Sequence, residues 1–192
     1  MNTEIQYDYP NSRLATFIYE QNKSVGWWDN PDRPIRQLLM LVITEIAEAT
    51  EAFRKNLMDD KLPQYKGEYV ELADAVIRLL DICGRYSFEF SDQAHYFDTS
   101  ECNIHGSKYS CASEYHFECV NRIMSFADRI YSAPDSPYMI DQINHTISYI
   151  YVLAKFRGCD NFGQIIKEKL EFNRNRADHR RENRSKEGGK KI

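Results

Sequence analysis

Long stretches of this chain carry apolar residues at spacings of three and four, with little to interrupt them: eight glycines and six prolines punctuate 192 residues. That spacing gathers apolar side chains on one face of an α-helix, whereas a half-buried strand needs alternation by two. Helices are predicted from Ser12, as cap, to Asn22, from after Pro34 to about Leu57, and from after Pro63 and Gly67 to about Phe88. Three more are predicted over Ser113 to Tyr131, Pro137 to Phe156, and Asn161 or Phe162 to about Arg180. No strand-like alternation persists long enough to build a sheet. The expectation is an all-α antiparallel bundle of about five to six helices, one domain over residues 1–192. Two parts stand apart from it. Ser91 to Ala112 loses periodicity and reads as a loop within an insertion of about 91–157, and the basic stretch 181–192 reads as a mobile tail.

A hydrophobic fraction of 42% supplies a real core. A formal net charge of -4 with a pI near 5.8 leaves no basic footprint for general nucleic-acid binding. Positive charge is concentrated at one end, where Lys167 to Ile192 holds ten Lys/Arg against five Asp/Glu. Nowhere do eighteen apolar residues follow one another, and MNTEIQYDYPNS lacks a basic start followed by an apolar run. These features predict a soluble, cytoplasmic protein with no membrane association. Five cysteines, an odd and sparse set, fit free thiols.

Acidic residues appear where two of the helices should be apolar. In LLMLVITEIAEATEAF, Glu45 falls within the stripe of Val42, Ile46 and Ala49, with Glu48 on its flank. In GEYVELADAVIRLLD, Glu71 and Asp74 repeat the spacing among Val70, Leu72, Ala73, Ala75, Val76 and Ile77. Positions three apart share one side of a helix. One such pair is ordinarily a solvated face, and Glu48/Glu51, Glu68/Glu71 and Glu168/Glu171 have the same spacing. Two pairs in apolar helices joined by a short turn place four carboxylates together, and like charges that close need a counter-ion. A ligand set of hard carboxylate oxygens favours magnesium, with manganese able to substitute, over zinc.

The last helix changes character along its length. Phe162, Ile165 and Ile166 are apolar, and the same face continues as Lys169, Asn173, Arg176 and Arg180. That row suits a triphosphate, though a basic C-terminus complementing the helix dipole would look similar. Trp27 and Trp28, in the break before the second helix, could stack on a base or plug the core. Cys102-x-x-His105 and His116-x-x-Cys119 could close a zinc site around the insertion, but their spacing matches no standard finger, and free thiols with surface histidines are preferred.

The pattern Glu45-Ile-Ala-Glu48, then twenty-two residues, then Glu71-Leu-Ala-Asp74 resembles the paired metal-binding signature of the all-α nucleotide pyrophosphohydrolases, which include MazG, dimeric dUTPases and phosphoribosyl-ATP pyrophosphohydrolase. Gly26-Trp27-Trp28 and the closing Lys169, Asn173 and Arg176 resemble MazG-like members in particular, including phage-encoded ones. The resemblance covers roughly 10 to 85 and 161 to 180. It departs from the family beyond Arg176, where His179 stands far from Gly188, Gly189 and Lys190.

The resemblance implies magnesium-dependent hydrolysis of (deoxy)nucleoside triphosphates to monophosphate and pyrophosphate. Glu45, Glu48, Glu71 and Asp74 would hold the metal, with Glu48 accepting the proton of the attacking water. Lys169, Asn173 and Arg176 would bind phosphates, Trp27 and Trp28 the base. It also implies a homodimer or homotetramer. The alternatives are a narrow substrate (dUTP, dCTP or phosphoribosyl-ATP) and a non-catalytic helical interaction module.

Overall fold

The computed structural model describes residues 5–90, 111–127 and 137–176. Among these the protein is all-α, with six packed helices and no strands. They are α1 (Ser12–Ser24), α2 (Ile35–Lys55), α3 (Gly67–Arg85), α4 (Ala112–Ala127), α5 (Pro137–Phe156) and α6 (Phe162–Asn175). No described helix is long and apolar enough to cross a membrane. Most of the predicted loop before α4, the chain after α4 to residue 136, and the predicted tail lie outside the described residues.

The predicted and observed helices differ mainly at their ends. The cap of α1 is Asn11, not Ser12: its Oδ1 accepts the Leu14 N–H at 2.8 Å. Asn is as good a cap as Ser, and periodicity alone cannot separate neighbours. Asn56 ends α2 in the left-handed conformation, φ 50°. The third helix starts at Gly67 itself and stops at Arg85, short of Phe88. The last stops at Asn175 rather than near Arg180, and Arg176 is already extended.

α3 is the central element, packing against α1, α2, α5 and α6, while α4 lies on α2 and α5. It is buried nearly all round, so any polar side chain on it must find a partner inside the protein. The turn from α2 to α3 is fixed locally. Asp59 Oδ1 accepts the backbone N–H groups of Lys61 (2.9 Å) and Leu62 (2.6 Å), and the Gly67 N–H donates to Leu57 O at 2.9 Å.

The α1–α3 contact depends on Gly84. A Cβ there would lie 2.3 Å from Ala15 O and 2.6 Å from Tyr19 Cβ. Alanine gains about 1 kcal/mol of helix propensity over glycine, but overlap with a backbone oxygen can be relieved only by moving α1. Gly84→Ala is therefore expected to destabilise the protein by about 1–3 kcal/mol, read as a lower urea midpoint at unchanged slope. A midpoint at or above that of the unsubstituted protein would show that α1 does not depend on this close approach.

A second buried network ties α4 to the bundle. The Glu68 carboxylate, on α3, accepts Arg157 Nε at 3.0 Å and faces His116 Nε2 at 3.4 Å. Thr50 Oγ1, on α2, meets His116 Nδ1 at 3.0 Å. His116 is only 1% exposed, which corrects its reading as a surface histidine. Burial pushes Glu68 up, but hydrogen bonds from His116 and Arg157 win, so the carboxyl titrates below its usual range. Both ring nitrogens of His116 thus face groups on neighbouring helices, Nδ1 at hydrogen-bond distance from Thr50 and Nε2 more loosely toward Glu68. Cys102 and His105 lie outside the described residues. Cys83, Cys111, Cys119 and Cys159 are free thiols.

Candidate metal centre

Glu45 lies on the buried face of α2 because it follows Val42 and precedes Ile46 and Ala49 on one stripe, and it is 6% exposed. Glu71 and Asp74 share the side of α3 that faces it. One carboxylate oxygen from each of Glu45, Glu71 and Asp74 lies within 4.8 Å of the others, an arrangement that could hold a metal ion. The sequence predicted four carboxylates, and these three converge. Glu48 is exposed on the flank and lies outside the trio, although its negative charge still raises the pKa of both Glu45 and Glu71.

Two of the three carboxylates have cationic partners. Arg78 donates to Glu45 Oε1 from Nε at 2.7 Å and Nη2 at 2.6 Å. Lys169, reaching from α6, sits 3.0 Å from Asp74 Oδ2, and Asn173 Nδ2 donates to Asp74 Oδ1 at 3.4 Å. Among the described residues no hydrogen bond or ion pair closes on Glu71. Burial, then the neighbouring Asp74, push its carboxyl up to about 8. Burial also raises Glu45, against the pull of Arg78. Burial alone would lower Lys169, but Asp74, Asp59 and Glu71 outweigh it, so the ammonium is held in its charged form.

The predicted donor row on α6 is thus divided. Lys169 is 4% exposed and turned onto the carboxylates. Asn173 joins it there. Arg176 lies past the helix end, its guanidinium 5.9 Å from the centre of the Phe172 ring. Arg180 lies outside the described residues.

Both tryptophans are half-buried and pack against the core. Trp28 donates from Nε1 to Asp81 Oδ1 at 3.0 Å, meets Tyr19 edge-on and has Arg85 over its ring. Trp27 carries the Arg33 guanidinium at 4.4 Å.

Sequence reasoning missed Arg78, Asp81 and Arg33. Arg78 and Asp81 continue the stripe of Glu71 and Asp74 at spacings of four and three, so the same argument extended two turns along α3 would have found them. Arg33 gives no such signal, because a loop has no periodicity.

Three carboxylate oxygens, with no ion pair closing on Glu71 among the described residues, suit a hard divalent cation, and no nitrogen or sulfur ligand is among them. No protein family, curated protein or solved structure matches the chain.

Proposed function

We propose that the protein is a magnesium-dependent pyrophosphohydrolase of (deoxy)nucleoside triphosphates, releasing a monophosphate and pyrophosphate. One observation carries this reading: Glu71 clusters with Glu45 and Asp74, and among the described residues no ion pair or hydrogen bond closes on it, Lys169 pairing with Asp74 and acting on Glu71 only through its field, so the trio has room for a cation. The ligand set fits magnesium or manganese, and the resemblance of both acidic pairs to the nucleotide pyrophosphohydrolases supplies the substrate class. Magnesium bound by Glu45, Glu71 and Asp74 would supply charge neutralisation and a water of lowered pKa.

The chain's own groups supply the rest. Glu48, exposed beside the trio, accepts the proton of the water that attacks phosphorus, and the α–β anhydride bond breaks to release pyrophosphate. Lys169 and Asn173 neutralise charge growing on the phosphate oxygens, and their pairing with Asp74 positions them beforehand. Arg176 meets the outer phosphates. Trp27 and Trp28 flank the base. Assembly as a homodimer or homotetramer belongs to the same reading.

Arg78 and Lys169 already neutralise two of the three carboxylates, which favours a second reading, a non-catalytic helical module whose acidic trio is structural. The two readings part when the protein is incubated with each canonical ribo- and deoxynucleoside triphosphate plus magnesium and the products are separated by chromatography. Monophosphate and pyrophosphate in equal amounts are expected, lost on chelation. Turnover of dUTP or dCTP alone would narrow the substrate. Release of single phosphates, or no product from any triphosphate, would overturn the proposal.

A further inference from the structure

The loop before α2 holds a part-buried arginine, two of whose nitrogens have no acceptor among the described residues. Arg33 Nε and Nη1 are both shut off from solvent, and neither has a hydrogen-bond acceptor among the described residues. Buried donors nearly always find acceptors. Trp27 lies beneath the guanidinium at 4.4 Å, which supports its charge but satisfies no N–H in the guanidinium plane. Asp81 attracts Arg33 electrostatically, yet its carboxyl is already accepting from Trp28 Nε1 and Asn22.

The chemistry of the missing acceptor is constrained. Arg33 can only donate. An anion brought there would also meet the Asp81 carboxyl, which attracts Arg33 and would repel a phosphate wherever it is ionised, so a neutral oxygen fits better. Asp81 already accepts from Trp28 and Asn22, so the donors left without a partner here are those of Arg33. The place is also suitable: Asp81 is two turns along α3 from Asp74, roughly 10 Å at the rise of a helix, with Arg78 between them.

We propose that Arg33, backed by Trp27, recognises the base of the nucleotide through an oxo group, favouring 6-oxopurines and 4-oxopyrimidines over their amino counterparts. This rests on the reading of the acidic trio as a triphosphate site. Oxo-base carbonyls accept from Arg33, whereas the amino group of adenine or cytosine sets donor against donor. A site built to donate rejects such an analogue strongly.

The test compares GMP with AMP, and UMP with CMP, by calorimetry on the full chain, beside kcat/KM for the four triphosphates with magnesium. GMP and UMP should bind at least about tenfold tighter than AMP and CMP, matching one charge-assisted hydrogen bond. Arg33→Met, which keeps a linear stem against Trp27, should remove that ratio by weakening the oxo ligands alone. If this variant melts early, Arg33→Lys replaces it and should shrink the ratio at least threefold. Equal binding of oxo and amino bases, or equal weakening of both by the substitution, overturns the inference. So does weaker binding of inorganic pyrophosphate to the Met variant, since the donors would then serve phosphate. Triphosphate cleavage without base preference sinks this inference alone. Oxo-selective binding without cleavage leaves it standing and removes the hydrolase reading.

Discussion

Glu71→Gln is expected to abolish magnesium-dependent turnover, lowering kcat/KM by about a thousandfold or more, while the protein without metal becomes slightly more stable. The two effects share one cause. Glu71 is buried and crowded by Asp74 and Glu45, and no ion pair closes on it among the described residues; the pull of Lys169 does not outweigh this, so its charge is costly in the ion-free protein. An amide of the same shape removes that cost. It also removes a ligand charge that magnesium needs, and loss of charge stabilisation at a reacting centre is worth several kcal/mol. A merely damaged fold would lower the melting temperature, which separates the two explanations. Magnesium with nucleotide should raise the melting temperature of the unsubstituted protein through binding to the folded state and leave the variant unmoved. Near-normal turnover in Glu71→Gln would end the assignment of this carboxylate to the metal.

How much of this was legible in the sequence follows from which forces are local. Helix identity is local, set by spacings of three and four, and α2, with Leu38, Leu39, Val42 and Ile46 on one face, formed where the pattern placed it. The trio was legible for the same reason: a carboxylate inside an apolar stripe must meet something. Helix ends were less so, because a cap is decided by one hydrogen bond, such as that of Asn11 to Leu14, which its neighbour Ser12 could have offered equally well. Partners across the bundle were not legible at all. That Lys169 would turn onto Asp74, ninety-five positions earlier, depends on how α6 docks on α3. Glu68 shows the limit most sharply. Its spacing from Glu71 made it look like a solvated face, yet it is 3% exposed and held by Arg157 and His116.

Asp81 provides the second large effect, in stability against pH. Burial pushes its carboxyl up to about 7 from an unfolded value near 3.8, despite hydrogen bonds from Trp28 and Asn22 and the nearby Arg78 and Arg33. The folded protein therefore binds the proton more tightly than the unfolded chain does, so the group's stabilising contribution is complete below about pH 4 and is lost as pH rises through about 7. Three pK units would amount to about 4 kcal/mol at most. Glu71 and Glu45 are raised too and act in the same direction, so the pH dependence of the unsubstituted protein alone cannot isolate Asp81. Asp81→Asn can. Its amide oxygen still accepts the Trp28 indole N–H, but the side chain no longer ionises. The variant should match the unsubstituted protein in urea at pH 5 and exceed it by about 2–4 kcal/mol at pH 9. The difference between variants must grow with pH for this account to hold. An unchanged gap at the two pH values would mean that Asp81 is already ionised in the folded state throughout this range, with its partners outweighing its burial.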